Sequence, residues 1–318
     1  MGYYQWCQGA SGPHRPVSVV IHPGTSASGV LGQLHDKDVI RCSGLVGKVL
    51  LHEEGTPDFR AGTFQLTTNM TMDEAVSVLT APPHHARTVS LTIPPGFRLT
   101  QIAARVHEVL PKIPAKALLD RTMGGTFSLP PYLPKDTKSM EGFLFPETYR
   151  VAVKTATTDS VIRLLLDQFG QEVKDLPWSN AERLGITPYQ VVTVASMIER
   201  EAGLDKDRPL ISAVIYNRLR INMRLEIDAT LLYADPTPED GLTDSDLKSD
   251  SPYNTRTHTG LPPTPIASPQ LLSLKAALRP AQVPYLYYVL CPKDGPGKHR
   301  FSVSYREFLN NKHECLGR

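Results

Sequence analysis

Thr88-Val89-Ser90-Leu91-Thr92-Ile93-Pro94-Pro95-Gly96 decides the reading of the fold. Its first six residues alternate with a period of two, the pattern of a strand buried on one face. Pro94-Pro95-Gly96 then turns the chain. Beyond the turn Leu99, Ile102, Ala103, Val106 and Leu110 recur at helical spacing. The same order stands about 72 positions earlier, where Val17–Ile21 reads as a strand and His22-Pro23-Gly24 as a break. A helical pattern follows there through Val30, Leu31 and Leu34, with Val39-Ile40 near its end. Between the two, Ala61–Leu66 reads as a strand. Thr71 caps a helix carrying Ala75, Val76 and Leu79, and Glu74 completes a capping box. The first third is therefore a run of small strand-then-helix units. It suits a structural module and a ligand-binding one equally well.

The polar, proline-rich stretch from Gly124 to Lys138 predicts a boundary. With 318 residues the chain suits about two domains. We expect a linker over 1–16, an α+β module over 17–138 and a mixed α/β domain over 139–318. Hydrophobic residues at 41% and charged residues at 21% allow a packed core and argue against global disorder. The 34 basic and 32 acidic residues leave a net charge of +2, which gives no electrostatic footprint for nucleic acid. No apolar run reaches the roughly 18 residues of a membrane helix, and the first residues lack a signal peptide's apolar stretch. Cys7, Cys42, Cys291 and Cys315 are too scattered for a structural zinc site.

Chemistry concentrates after residue 139. Glu141–Tyr149 is an aromatic segment bounded by acids, and Ser160–Val173 forms an amphipathic helix. Thr187-Pro188 opens a helix through Val191, Val194, Ala195 and Ile198 to Glu201, ending near Gly203. Its last turn carries Glu199, Arg200 and Glu201. A carboxylate at a helix C-terminus opposes the macrodipole, which disfavours its charged form. Residues two apart lie about 200° apart on a helix, so the two glutamates occupy opposite flanks of the apolar stripe. Geometry alone does not choose between them. The plainer reading makes both solvated, pairing with Arg200 or Lys206.

Asp207 as a cap and Pro209 in the first turn begin another helix through Leu219. Polar and aromatic segments follow: Met223–Thr230, Ser251–Arg256, Thr259–Pro269, Pro284–Val289 and His299–Phe301. Four prolines between Pro262 and Pro269 stiffen one loop. Tyr, Asn, Thr and Arg without a Gly-rich phosphate loop favour a carbohydrate over a nucleotide.

These segments together resemble the endolytic murein transglycosylases, the MltG or YceG-like family. The resemblance runs from about residue 18 to the C-terminus. It is strongest in Glu141–Tyr149, Ala195–Glu201, Val214–Asp228, Tyr253–Thr255, Gly260–Pro269 and Tyr285–Phe301. It implies a LysM-like module ahead of a catalytic domain that cuts nascent peptidoglycan strands internally without a cofactor. It also implies a membrane helix preceding residue 1, placing the catalytic domain outside the membrane near peptidoglycan synthases. By resemblance the catalytic acid is Glu201, with cleft roles for Asn217, Arg218, Asp228, Tyr253, Asn254 and Thr255. Glu226 and Ala229 depart from a relative's Gln and Pro. A non-catalytic peptidoglycan-binding scaffold is the competing expectation. A pyridoxal-phosphate lyase would need Lys275 as a Schiff-base lysine together with a phosphate cup, and no Gly-rich cup accompanies it.

Overall fold

A computed structural model describes residues 12–42, 59–80, 88–123, 134, 137–234 and 242–317. Most of the expected linker and most of the proline-rich stretch from Gly124 to Lys138 lie outside these residues. The fold is α+β, with three two-stranded antiparallel sheets set among helices in the described residues.

The chain divides into two compact units, Met1–Arg87 and Thr88–Arg318. In the first, β1 (Pro16–Ile21) pairs antiparallel with β2 (Gly62–Thr67), Pro16 opposite Thr67 and Ile21 opposite Gly62. Helix α1 (Ala27–Asp36) starts on Ser26, whose hydroxyl accepts from the Gly29 amide. Helix α2 (Met72–Thr80) has the expected capping box, with Thr71 and Glu74 bonding each other's amides. Val19, Ile21, Val30, Leu31, Leu34, Phe64, Leu66, Ala75 and Leu79 form this unit's own core.

The second unit begins with the strand-turn-helix that opened the sequence reading. Here β3 (Thr88–Thr92) leads to α3 (Leu99–Val109). A strand needs a ladder partner, and that of β3 is β4 (Thr148–Ala152), Thr88 opposite Ala152 and Thr92 opposite Thr148. This pairing reaches across residue 138. The units therefore part at Arg87, and not at the expected boundary, because β3 and α3 share their core with Phe143, Leu144, Phe145 and Tyr149. Gly142 has a positive φ of 85° and leaves no room for a side chain, since a Cβ there would lie 2.5 Å from Pro265.

The rest is helical: α4 (Ala115–Met123), α5 (Thr158–Val173), α6 (Ser179–Arg183), α7 (Pro188–Glu201), α8 (Arg208–Arg220), α9 (Asp228–Ala234) and α10 (Leu271–Leu278). Helix α7 is the axis, with every residue from Val191 to Ile198 buried. The chain closes with a hairpin of β5 (Tyr287–Leu290) and β6 (His299–Ser302), then α11 (Tyr305–Leu316). A Cys291–Cys315 disulfide ties the hairpin to α11, and Cys42 of the first unit is also disulfide-bonded.

Candidate active site

Helix α7 presents the acid because its two ends are unlike. At its start Thr187 and Gln190 form a capping box and Pro188 occupies the first turn. Its middle is sequestered in the core, so only the last turn reaches polar surroundings. The Ala202 amide still bonds the Ile198 carbonyl at 2.9 Å, after which the backbone turns extended. Gly203 then packs directly on Gly297, where a Cβ would meet the neighbouring backbone at 2.6 Å. This contact seats the β5–β6 turn against the end of α7.

The two glutamates of that turn have opposite fates. Glu199 is nearly fully buried and saturated with donors. It accepts from Arg208 Nη1 at 3.2 Å, Ser273 Oγ at 2.8 Å, the Gln270 amide at 3.1 Å and Gln270 Nε2 at 3.0 Å. It joins α7 to α8 and α10 as an ion pair, so the solvated glutamate of the plainer reading is not found here. Among the described residues Glu201 has a single hydrogen-bond donor, Tyr288 Oη at 3.0 Å from Oε2. Burial pushes the Glu201 carboxyl above the ordinary carboxylate range. The Tyr288 bond and the Arg200 charge oppose this, and the nearby Asp228 charge reinforces it. Burial and the facing Glu201 carboxylate raise the Tyr288 hydroxyl well above the ordinary tyrosine value, so it stays a donor.

Tyr288 is fixed in turn by its own surroundings. Its ring meets His299 edge-on at 5.6 Å and lies 6.1 Å from Phe301. His299 is held by Asp207, whose Oδ2 is 3.1 Å from Nδ1 and accepts from the His299 amide at 3.2 Å, both side chains being buried. Asp207 was expected to cap α8. Its side chain makes no cap bond and reaches the hairpin instead. Nothing in the tyrosine-rich segment Pro284–Val289 singles out Tyr288, because a partner 87 positions away leaves no periodic trace.

The six residues expected to line the cleft divide by what their side chains bind. Asp228, at the start of α9, is half-exposed and pairs with Arg256 at 2.6 Å. Tyr253 is partly exposed, with its hydroxyl 2.9 Å from Thr264 Oγ1 and its ring 5.0 Å from Tyr233. The remaining four bind the protein's own backbone. Asn217 Nδ2 donates to the carbonyls of Val283 and Tyr285 at 2.9 and 2.8 Å. Arg218 is buried, donating to the carbonyls of Leu286, Arg224 and Leu225 at 2.6, 3.0 and 2.8 Å and pairing with Glu226 at 3.3 Å. Asn254, fully buried, donates to the carbonyls of Leu247 and Ser249. Thr255 accepts the Ile227 amide at 3.0 Å and is equally hidden. Asn217, Arg218, Asn254 and Thr255 are thus each engaged with the protein's own backbone. Lys275 projects from α10 into solvent.

An α+β scaffold that sets a carboxyl raised above its ordinary range, Glu201, beside an aromatic hydroxyl at a helix end defines a candidate acid-catalyst site. The YceG-like family model matches residues 19–314, and the chain belongs to that family. It is 32% identical over 285 residues to the endolytic murein transglycosylase of Bacillus subtilis, spanning 86% of this chain and 78% of that protein. It is 29% identical over 307 residues to the namesake from Streptococcus pneumoniae strain R6, covering 88% of this chain but only 55% of that protein. A crystal structure of a YceG-like protein from Listeria monocytogenes superposes with a TM-score of 0.62 at 29% identity, covering 93% of this chain and 98% of that one.

Proposed function

We propose that this protein is a peptidoglycan lytic transglycosylase that cuts nascent glycan strands internally, ends their elongation and leaves 1,6-anhydro-N-acetylmuramyl termini. The observation that carries the reading is the contrast between Glu199, locked by four donors, and Glu201, protonatable and held by one. Glu201 gives its proton to the glycosidic oxygen as the bond to the anomeric carbon breaks. The resulting carboxylate takes the proton of the muramyl C6 hydroxyl, whose oxygen attacks the same anomeric carbon, and the acid is regenerated. An intramolecular nucleophile has a high effective concentration, so no activated water is needed. Tyr288 holds the carboxylate through the cycle, and Asp228 supplies negative charge facing the oxocarbenium-like centre.

A hydrolytic reading has one observation in its favour, the second carboxylate of Asp228 within the field of Glu201. Against it, the Asp228 carboxylate is held by both Nε and Nη2 of Arg256. Cleavage in ¹⁸O-labelled water separates the two. Unlabelled anhydro ends lighter by one water are expected, and label at the new end would establish hydrolysis. The competing scaffold role predicts that purified protein leaves uncrosslinked strands intact.

The first unit acts in this reading as a LysM-like module that keeps the strand near the cleft, beside a peptidoglycan synthase. The catalytic unit works outside the cytoplasmic membrane, tethered by a helix. Among the described residues no helix is long and apolar enough to cross a membrane. The disulfides support the placement, since such bonds persist in oxidising compartments. Fractionation of the natural protein to the cytosol would contradict it.

A further inference from the structure

Six described arginines of the second unit, Arg105, Arg121, Arg208, Arg218, Arg256 and Arg300, each lie within ion-pair distance of a carboxylate. Arg98 and Arg200 do not, among the described residues, although Arg98 is only partly exposed. Arg200 lies over the Pro94–Arg98 turn, its Nη1 donating to the Gly96 carbonyl at 3.4 Å. The same turn brings Arg98 into its field, and the two like charges disfavour each other, lowering the Arg98 pKa further after burial. The acid nearest to Arg98, Glu141, is engaged elsewhere, with both oxygens 3.1–3.2 Å from the Leu99 amide. Burial pushes Glu141 up to about 7, so near neutrality it cancels only part of the arginines' charge.

Two guanidiniums in each other's field at one turn, faced by carboxyls that burial makes reluctant to ionise, leave an electrostatic need that a bound anion would satisfy. The position of the pair identifies which anion. Arg200 immediately precedes Glu201 and its charge reaches that carboxyl. Arg98 lies over the Tyr233 ring at 5.8 Å, and Tyr233 stands beside Tyr253. A sugar chain passing Glu201 thus meets an aromatic shelf and a cationic wall together. Peptidoglycan carries its anions on stem peptides, which hang from the muramyl residue at the reaction centre.

We propose that Arg98 and Arg200 form a subsite for the carboxylates of the stem peptide, so that the cleft selects peptide-bearing strands over bare glycan. This inference rests on the transglycosylase reading.

Calorimetry on the full chain bearing Glu201→Gln tests it, with a disaccharide-tetrapeptide and the same disaccharide lacking its peptide as probes. The peptide-bearing probe is expected to bind about 10-fold more tightly, the size of one charge-assisted hydrogen bond. Adding Arg98→Gln and Arg200→Gln should remove that preference, leave affinity for the bare disaccharide within about two-fold and leave the melting temperature unchanged. Equal affinity for the two probes, or a preference that survives both substitutions, overturns the subsite. Strand cleavage by the unaltered protein separates the two levels. Cleavage without peptide preference rejects the subsite alone, whereas no cleavage of either kind of strand rejects the reading beneath it.

Discussion

Glu199 and Glu201 differ by two positions and by what their carboxylates touch, so equal substitutions should have unequal effects. Glu201→Gln keeps size and hydrogen bonding but removes the transferable proton. Strand cleavage should fall about 10²–10⁴-fold with the melting temperature unchanged. Glu199→Gln removes the buried one of Arg208's two carboxylate partners and leaves it the exposed Asp205, which costs about 2–4 kcal/mol. Its signature is a melting temperature lower by roughly 5–15 °C, and cleavage at low temperature should be nearly normal. Tyr288→Phe removes a bond that favours the charged form of Glu201. The alkaline limb of the pH–rate profile should then move to higher pH while the maximal rate falls about 10-fold; a limb that stays put or moves down would show that Tyr288 does not tune the acid. At this scale the sequence showed that the glutamates occupy opposite flanks, because that follows from helical pitch alone. It could not show which flank meets Ser273 and Gln270, since those contacts join residues more than seventy positions apart.

Helix α3 illustrates what an element owes to distant chain. Its apolar spacing and the strand and turn before it were legible between Thr88 and Leu110, because each residue's face depends on local period. Its N-terminal partner was not. The buried Glu141 accepts the Leu99 amide, and burial outweighs that bond, raising the carboxyl from 4.5 to about 7. The folded state therefore holds a proton that the unfolded state releases between these values, and stability linked to it is full below about pH 4.5 and lost as pH rises through about 7. At 1.36 kcal/mol per pH unit the loss amounts to about 3 kcal/mol. Denaturant midpoints at pH 5 and pH 8 should differ more for the natural protein than for Glu141→Gln, which cannot titrate. Equal differences in the two proteins would remove Glu141 from the account.

Across the whole molecule, the two cores were foreseen and their border was not. Composition drew it at the prolines before residue 139, but sheet pairing decides it, and β3 finds its partner in β4. The cysteines were likewise silent in sequence, since spacing does not reveal which thiols meet. The Cys291–Cys315 bond has a consequence for catalysis, because the hairpin it ties to α11 carries Tyr288. Beside the disulfide, β5 and α11 meet through Val289 and Phe308 and through the Tyr287 ring, which lies 5.7 Å from Tyr305 and 5.4 Å from Phe308. Closing a loop across 24 residues of sequence separation is worth about 3 kcal/mol in the chain-entropy account. Tyr288 stands on this hairpin, so loosening it withdraws the donor from Glu201. Replacing both cysteines by serine should raise amide exchange over residues 286–302, leave β3 and β4 protected, and slow strand cleavage several-fold. Exchange rising equally in β3 and β4 would mean that the bond stabilises the unit as a whole. Exchange unchanged at the hairpin, with full activity, would show that the aromatic contacts of Tyr288 and the Asp207–His299 pair hold it unaided.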